Sequence, residues 1–173
     1  MMTTPKSLPE DLVSSIVRIS SASPETDVSD GGGCISFFIP GNDTLRLGAR
    51  TPGCCTPEEM KAFPVGKLVR LELSLIGNFY SVEEAEKTYI KHADRPFVVY
   101  SGISRVCCRV DGDVYLEAGG LIFDMENDLE MCEIPKVGDY IRFDGIFFDA
   151  FTYDEEDACF YRKAFHDGEL LYD

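Results

Sequence analysis

Basic residues are scarce where this sequence ends. Residues 111–173 hold 4 lysines and arginines against 18 aspartates and glutamates, whereas residues 1–110 hold 12 against 13. Nearly all of the formal net charge of −15 therefore falls in the last third. Such a field repels nucleic acid and anionic membrane and attracts cationic surfaces. Long apolar runs are missing too: no stretch approaches the roughly 18 apolar residues that a membrane helix requires. Residues 1–23 place Glu10 and Asp11 soon after Lys6 and contain no continuous apolar segment. That argues against a secretory signal and for a cytosolic, or else nuclear, protein.

The residue patterns of familiar reactions are also lacking. The seven cysteines are Cys34, Cys54, Cys55, Cys107, Cys108, Cys132 and Cys159, an odd number with no C-x-x-C among them. Reduced thiols in a reducing compartment are the simplest account. His92 and His166 are the only histidines. His166-Asp167 has the form of an orienting pair, yet no spacing joins it to a cysteine. Cys132 and Cys159 lie among carboxylates, the wrong setting for a thiolate nucleophile. Paired zinc-ligand spacing is absent. Gly31-Gly32-Gly33 precedes a strand pattern rather than a helix, so it lacks the setting that cradles phosphate and reads as a linker. No catalytic residue, cofactor or metal is expected.

What is present is a single domain's worth of patterned chain. At 173 residues it can bury roughly 70% of its unfolded surface. Ser7 and Glu10 have capping-box spacing with Pro9 in the first turn, and Leu12, Val13, Ile16 and Val17 form one stripe, predicting a helix that ends near Ser20. Residues 21–33 read as a flexible connection. The expected organisation is thus a helix and connection over 1–33 and a barrel-like domain over 34–173. Strands over 34–39 and 44–49 flank the turn signal Pro40-Gly41-Asn42-Asp43. Thr56-Pro57-Glu58-Glu59 opens a short helical turn through 60–63. Residues 67–76 alternate, with Val69, Leu71, Leu73 and Leu75 on one face. Ser81 and Glu84 cap a helix to about His92, its stripe being Val82, Ala85, Tyr89 and Ile90. Strand patterns then cover 97–103 and 106–110, and 114–123 returns after Asp111-Gly112. Gly119-Gly120 reads as a bulge or bend inside that returning strand. Residues 124–136 are an acidic connection. Residues 140–151 place Ile141, Phe143 and Phe147 on one side and Arg142 and Asp144 on the other, with a bend at Gly145. Residues 159–165 read as a last strand.

The expected fold is mainly β, of α+β class: a small antiparallel, OB-like or Greek-key β-barrel with an N-terminal helix and one inserted helix. Within it, Val137-Gly138-Asp139-Tyr140-Ile141-Arg142-Phe143-Asp144-Gly145 resembles the Gly-Asp entry to a late strand of such barrels. A β-sandwich or an α+β roll are the alternatives.

Two acidic groups stand out as candidate sites. Asp124, Glu126, Asp128 and Glu130 set a carboxylate at every second residue, on one face of a strand about 7 Å apart. A calcium loop starting at Asp124 would need glycine sixth and glutamate twelfth, where Leu129 and Pro135 stand. Asp154, Glu155, Glu156 and Asp157 follow the aromatics Phe147, Phe148, Phe151 and Tyr153. Aromatic anchors beside a charged rim are the anatomy of a protein interface, which selects Phe148 and Tyr153 as partner-binding residues with both acidic groups. The expected function is a non-catalytic protein-binding domain that docks a basic partner, most concretely a cytosolic inhibitor or immunity protein neutralising a toxin or nuclease. The alternative is an OB-fold subunit of a nucleic-acid-processing complex that binds single strands through bases in 46–109 such as Arg46, Arg50, Lys91 and Arg105. An enzyme of unrecognised type is the third reading. No membrane partner is expected.

Overall fold

The first strand obeys a period of two, against the expected helix. In a computed structural model describing residues 12–24, 32–54, 56–82, 84–95, 98–110, 113–125 and 135–153, Ser15–Ser23 is strand β1. Val17 and Ile19 are buried while Ile16 and Arg18 face out. The same residues satisfy a helical stripe. The β-branched Ile16, Val17 and Ile19 fit a pleated surface better, and two neighbouring strands accept their backbone groups. Ser7 and Glu10, the proposed cap, lie outside the described residues.

The remaining strands are β2 (Gly32–Ile39), β3 (Asn42–Pro52), β4 (Leu68–Val82), β5 (Tyr89–Arg95), β6 (Val98–Val110), β7 (Asp113–Ala118), β8 (Leu121–Met125) and β9 (Tyr140–Thr152). A 3-10 turn, Glu59–Ala62, stands where the short helical turn is expected, and it buries Met60. The expected inserted helix over 81–92 is instead the end of β4, a connection, and β5. Pairing of β5 along β6 overrides the stripe, and Thr88 anchors the connection: its hydroxyl donates to Glu117 Oε2 at 2.8 Å and accepts from the Gly119 amide at 3.2 Å. Gly32 and Gly33, read as linker, open β2 and are buried. A Cβ on Gly32 would meet the Thr51 carbonyl at 2.7 Å, and one on Gly33 would meet Met60 Sδ at 2.6 Å, so close approach demands glycine at both. Gly119 and Gly120, at φ of +60° and +92°, form a turn that divides the expected single strand into β7 and β8.

Among the described residues nine strands form one mixed sheet whose pairing closes on itself twice. The first ring runs β1–β2–β3–β9–β4 and back to β1; all its neighbours are antiparallel except β3 and β9. The second runs β4–β8–β7–β6–β9, with β4 and β8 parallel. The long β4–β9 ribbon belongs to both. It is possible because each of these strands changes partner along its free edge: β4 leaves β1 after Leu71 and meets β8 at Ser74, and β9 leaves β6 at Gly145 and meets β3 at Phe148. One extra residue, Ile146, sits at a bulge in the ribbon, between the pairs Gly77–Gly145 and Ile76–Phe147. It reverses the alternation of β9. Phe148 and Ala150 therefore enter the core while Phe147, expected inside, faces out.

One apolar core serves both rings. Phe123 of the second ring contacts Phe143 and Phe148, centroids 5.3 and 5.6 Å apart, and Phe148 contacts Tyr100 at 5.3 Å. The Tyr100 hydroxyl accepts from the Gly48 amide at 2.7 Å, tying β6 to β3; burial pushes this phenol above its ordinary value and the hydrogen bond pulls the other way. The parallel β3–β9 contact is short, and a side-chain pair reinforces it. Arg50 donates to both carboxylate oxygens of Asp149, at 3.0 and 3.3 Å, and its guanidinium lies 3.9 Å from the Phe147 ring centroid. Asp149 is 7% exposed. Arg50→Ala is expected to lower stability by about 1–3 kcal/mol, read by urea melting, because it leaves a buried carboxylate short of donors.

Candidate binding face

The outer face of β1, β2 and β3 collects side chains that the strands' own register aligns. Arg18 pairs with Phe38, Phe38 pairs with Arg46, and Leu68 of β4 continues the row beyond Arg18. The result is a line Leu68–Arg18–Phe38–Arg46 across four strands. Leu68 is half exposed, both arginines are exposed, and Phe38 is partly covered between them. The strand spacing sets the two arginine Cα atoms about 10 Å apart.

A second row fixes one of the arginines. β1 carries a bulge between Ile19 and Ser21, which brings both Ser20 and Ser21 to Ser36, with hydroxyl oxygens 2.6 and 2.5 Å from it. The Arg46 guanidinium lies over this serine group. It donates from Nε and Nη2 to Ser36 Oγ at 3.0 and 2.9 Å, and from Nη2 to Ser21 Oγ at 3.3 Å. Arg18 donates from Nη1 to the Gly66 carbonyl at 2.9 Å. Both guanidiniums are thus oriented by neutral acceptors. Among the described residues neither Arg18 nor Arg46 stands in an ion pair, whereas Arg50 and Lys61 do, with Asp149 and Glu58. Each keeps N–H donors for an incoming anion. His92 borders the row, its Nε2 2.8 Å from the Arg46 carbonyl.

The other bases of 46–109 do not join this face as a group. Lys91, on β5, lies 5.9 Å from the Tyr89 ring centroid, and Arg105, on β6, lies 6.0 Å from that of Tyr140. A shallow groove beside β5 mixes Lys91 and Arg142 with Asp94 and Asp144 and presents no single sign of charge. Among the described residues no three His, Cys, Asp or Glu side chains are placed to hold a metal ion. No helix among them is long and apolar enough to cross a membrane.

Of the residues selected from sequence, Asp124, Phe148 and Tyr153 lie among the described residues. Phe148 is fully buried inside the sheet and offers no surface, because the Ile146 bulge turns it inward. Asp124 lies on β8, half-buried, opposite Tyr115 and Ser74. Tyr153 follows β9 and packs beside Val13, Cys108, Tyr115 and Ile122. Glu126, Asp128, Glu130, Asp154, Glu155, Glu156 and Asp157 lie outside the described residues, as does His166. The described ends leading into both acidic segments flank β4, with Met125 beside Leu75 and Thr152 beside Leu71. β8 runs parallel to β4 and β9 antiparallel to it, so the two strands point in opposite directions.

Sequence reading missed Arg18 and Phe38. The available signal was the alternation of Ile16, Val17, Arg18 and Ile19, which the helical stripe obscured. No family model, curated protein or solved structure matches this chain.

Proposed function

We propose that the chain is a non-catalytic OB-type binding domain that takes single-stranded nucleic acid on the outer face of β1, β2 and β3. The ring order β1–β2–β3–β9–β4, with the third strand parallel to the last, supports the OB-type barrel, as a closed five-stranded Greek key. On that reading β5 to β8 are an insertion between its fourth and fifth strands. The observation that carries the functional reading is the row Arg18–Phe38–Arg46. Guanidiniums without carboxylate partners take phosphate oxygens through paired charge-assisted hydrogen bonds, and the phenyl ring between them is a sequence-tolerant platform for a base. The formal charge of −15 opposes this only at short range, since the Debye length is about 8 Å in physiological salt.

The test is fluorescence anisotropy with labelled oligo-dT and oligo-U across a salt series, with duplex DNA alongside. Single strands should bind, more tightly at low salt. Phe38→Ala should cost about 1–3 kcal/mol of binding, and the pair Arg18→Glu with Arg46→Glu should abolish it with the circular dichroism spectrum intact. Failure of the unaltered protein to bind at low salt, or equal affinity of the arginine variant, overturns the reading.

A second reading rests on the 18 acids of residues 111–173. In it the acidic segments dock a basic protein, as an inhibitor or immunity protein does to a cationic toxin or nuclease, with steering by charge. Absence of oligonucleotide binding, together with tight and salt-sensitive binding of such a protein, would favour it.

A further inference from the structure

An extra residue on β6 sets two adjacent thiols on one side of a strand. Neighbours on a regular strand point to opposite faces. Here Val106 pairs with Leu116 and Cys108 with Tyr115, which leaves Cys107 as the additional residue of a bulge. Val106 and Leu116 enter the main core, whereas Cys107 and Cys108 both pack in the small cluster of Val13, Tyr115 and Ile122. Each Sγ lies 3.5 Å from the same acceptor, the Leu12 carbonyl, and Cys107 Sγ is also 3.2 Å from the Tyr115 carbonyl. Interaction with the neighbouring Cys107, then burial, pushes the Cys108 thiol far above its ordinary value.

Neither cysteine is in a disulfide; Cys107 is half-buried and Cys108 buried. A direct bond between them is disfavoured, because adjacent Cα atoms stand about 3.8 Å apart and disulfides usually span about 4.4 Å or more. A single atom inserted between the sulfurs, with its longer bonds, removes that constraint. We propose that Cys107 and Cys108 form a bidentate site for a thiophilic trivalent metalloid, of the arsenical class. With an arsenoxide, two arsenic–sulfur bonds form and the arsenic–oxygen bond breaks. Both thiol protons leave with the oxygen as water, and arsenic stays trivalent, so no oxidant or reductant is needed. The product is uncharged, which suits the apolar surroundings of Val13 and Ile122. A divalent zinc ion would want more ligands, and no third is at hand among the described residues.

The probe is phenylarsine oxide on the full chain, followed by intact mass and peptide mapping. Cys54 and Cys55 are the other adjacent pair, so Cys54→Ser with Cys55→Ser is the background for the variants. The expected result is one adduct that survives excess monothiol, is removed by a dithiol, and maps to a peptide containing both Cys107 and Cys108. Cys107→Ser, a substitution at the half-buried bulge residue, should reduce it to background. Mapping of the unsubstituted chain reads the site without any variant. An adduct that monothiol removes, one that maps to other cysteines, or one that persists in Cys107→Ser overturns the proposal.

Discussion

Phe143→Ala is expected to destabilise the fold by about 3–5 kcal/mol, the range for truncating a buried aromatic. Phe143 has no exposed surface and sits on the ribbon that both rings share. It stands opposite Phe79 of β4 and Gly102 of β6, and its ring meets Phe123 edge-on at 5.3 Å. Gly102 makes room for it, since a Cβ there would lie 2.9 Å from Phe143 Cζ. Ladders on both edges of β9 hold the backbone, so the cavity cannot collapse and the full cavity cost is felt. Chemical denaturation of the variant measures this. A loss under about 1 kcal/mol would contradict the assignment of Phe143 to the core.

Gly77→Ala is expected to cost about 3 kcal/mol or more, at or above the usual ceiling for overpacking. Gly77 lies at the register shift of the ribbon, where an added Cβ would stand 2.9 Å from Gly145 Cα and overlap the Asp144 carbonyl. Both obstacles are backbone, so neither can rotate away as a side-chain tip could. Relief requires β4 and β9 to separate, and the two rings depend on that pair. Gly41→Ala is the comparison: a Cβ there meets nothing within 4 Å, and only the φ of +86° resists it, a penalty of about 1–2 kcal/mol. Melting curves in which Gly77→Ala is no worse than Gly41→Ala would show that the ribbon tolerates opening.

The elements legible in the sequence were those whose signals are local. The alternation over 67–76 became the buried face Leu71, Leu73 and Leu75 of β4. The turn at Pro40 and Gly41 joined β2 to β3, and the Thr56–Glu59 signal produced the 3-10 turn, with Glu59 and Thr56 capping each other at 3.1 and 3.2 Å. Both expected helices failed for one reason. Residues 15–23 and 89–95 carry apolar spacings that either period accommodates, and unpaired edges of β2, β4 and β6 were available to accept them as strands. The anionic excess was plain from composition, but most of its candidate residues stand outside the described body.

Composition and alternation by themselves determined a β-rich fold, its hairpin turn and the asymmetry of its charge. Tertiary structure alone decided three further things. It made β4 and β9 a ribbon common to two rings, turned Phe148 inward through one extra residue, and lined up Arg18, Phe38 and Arg46 on one face. The physical reason is that side-chain alternation is set within a strand. Register, bulges and ring closure are set between strands distant in sequence, where shifting by one residue exchanges core for surface.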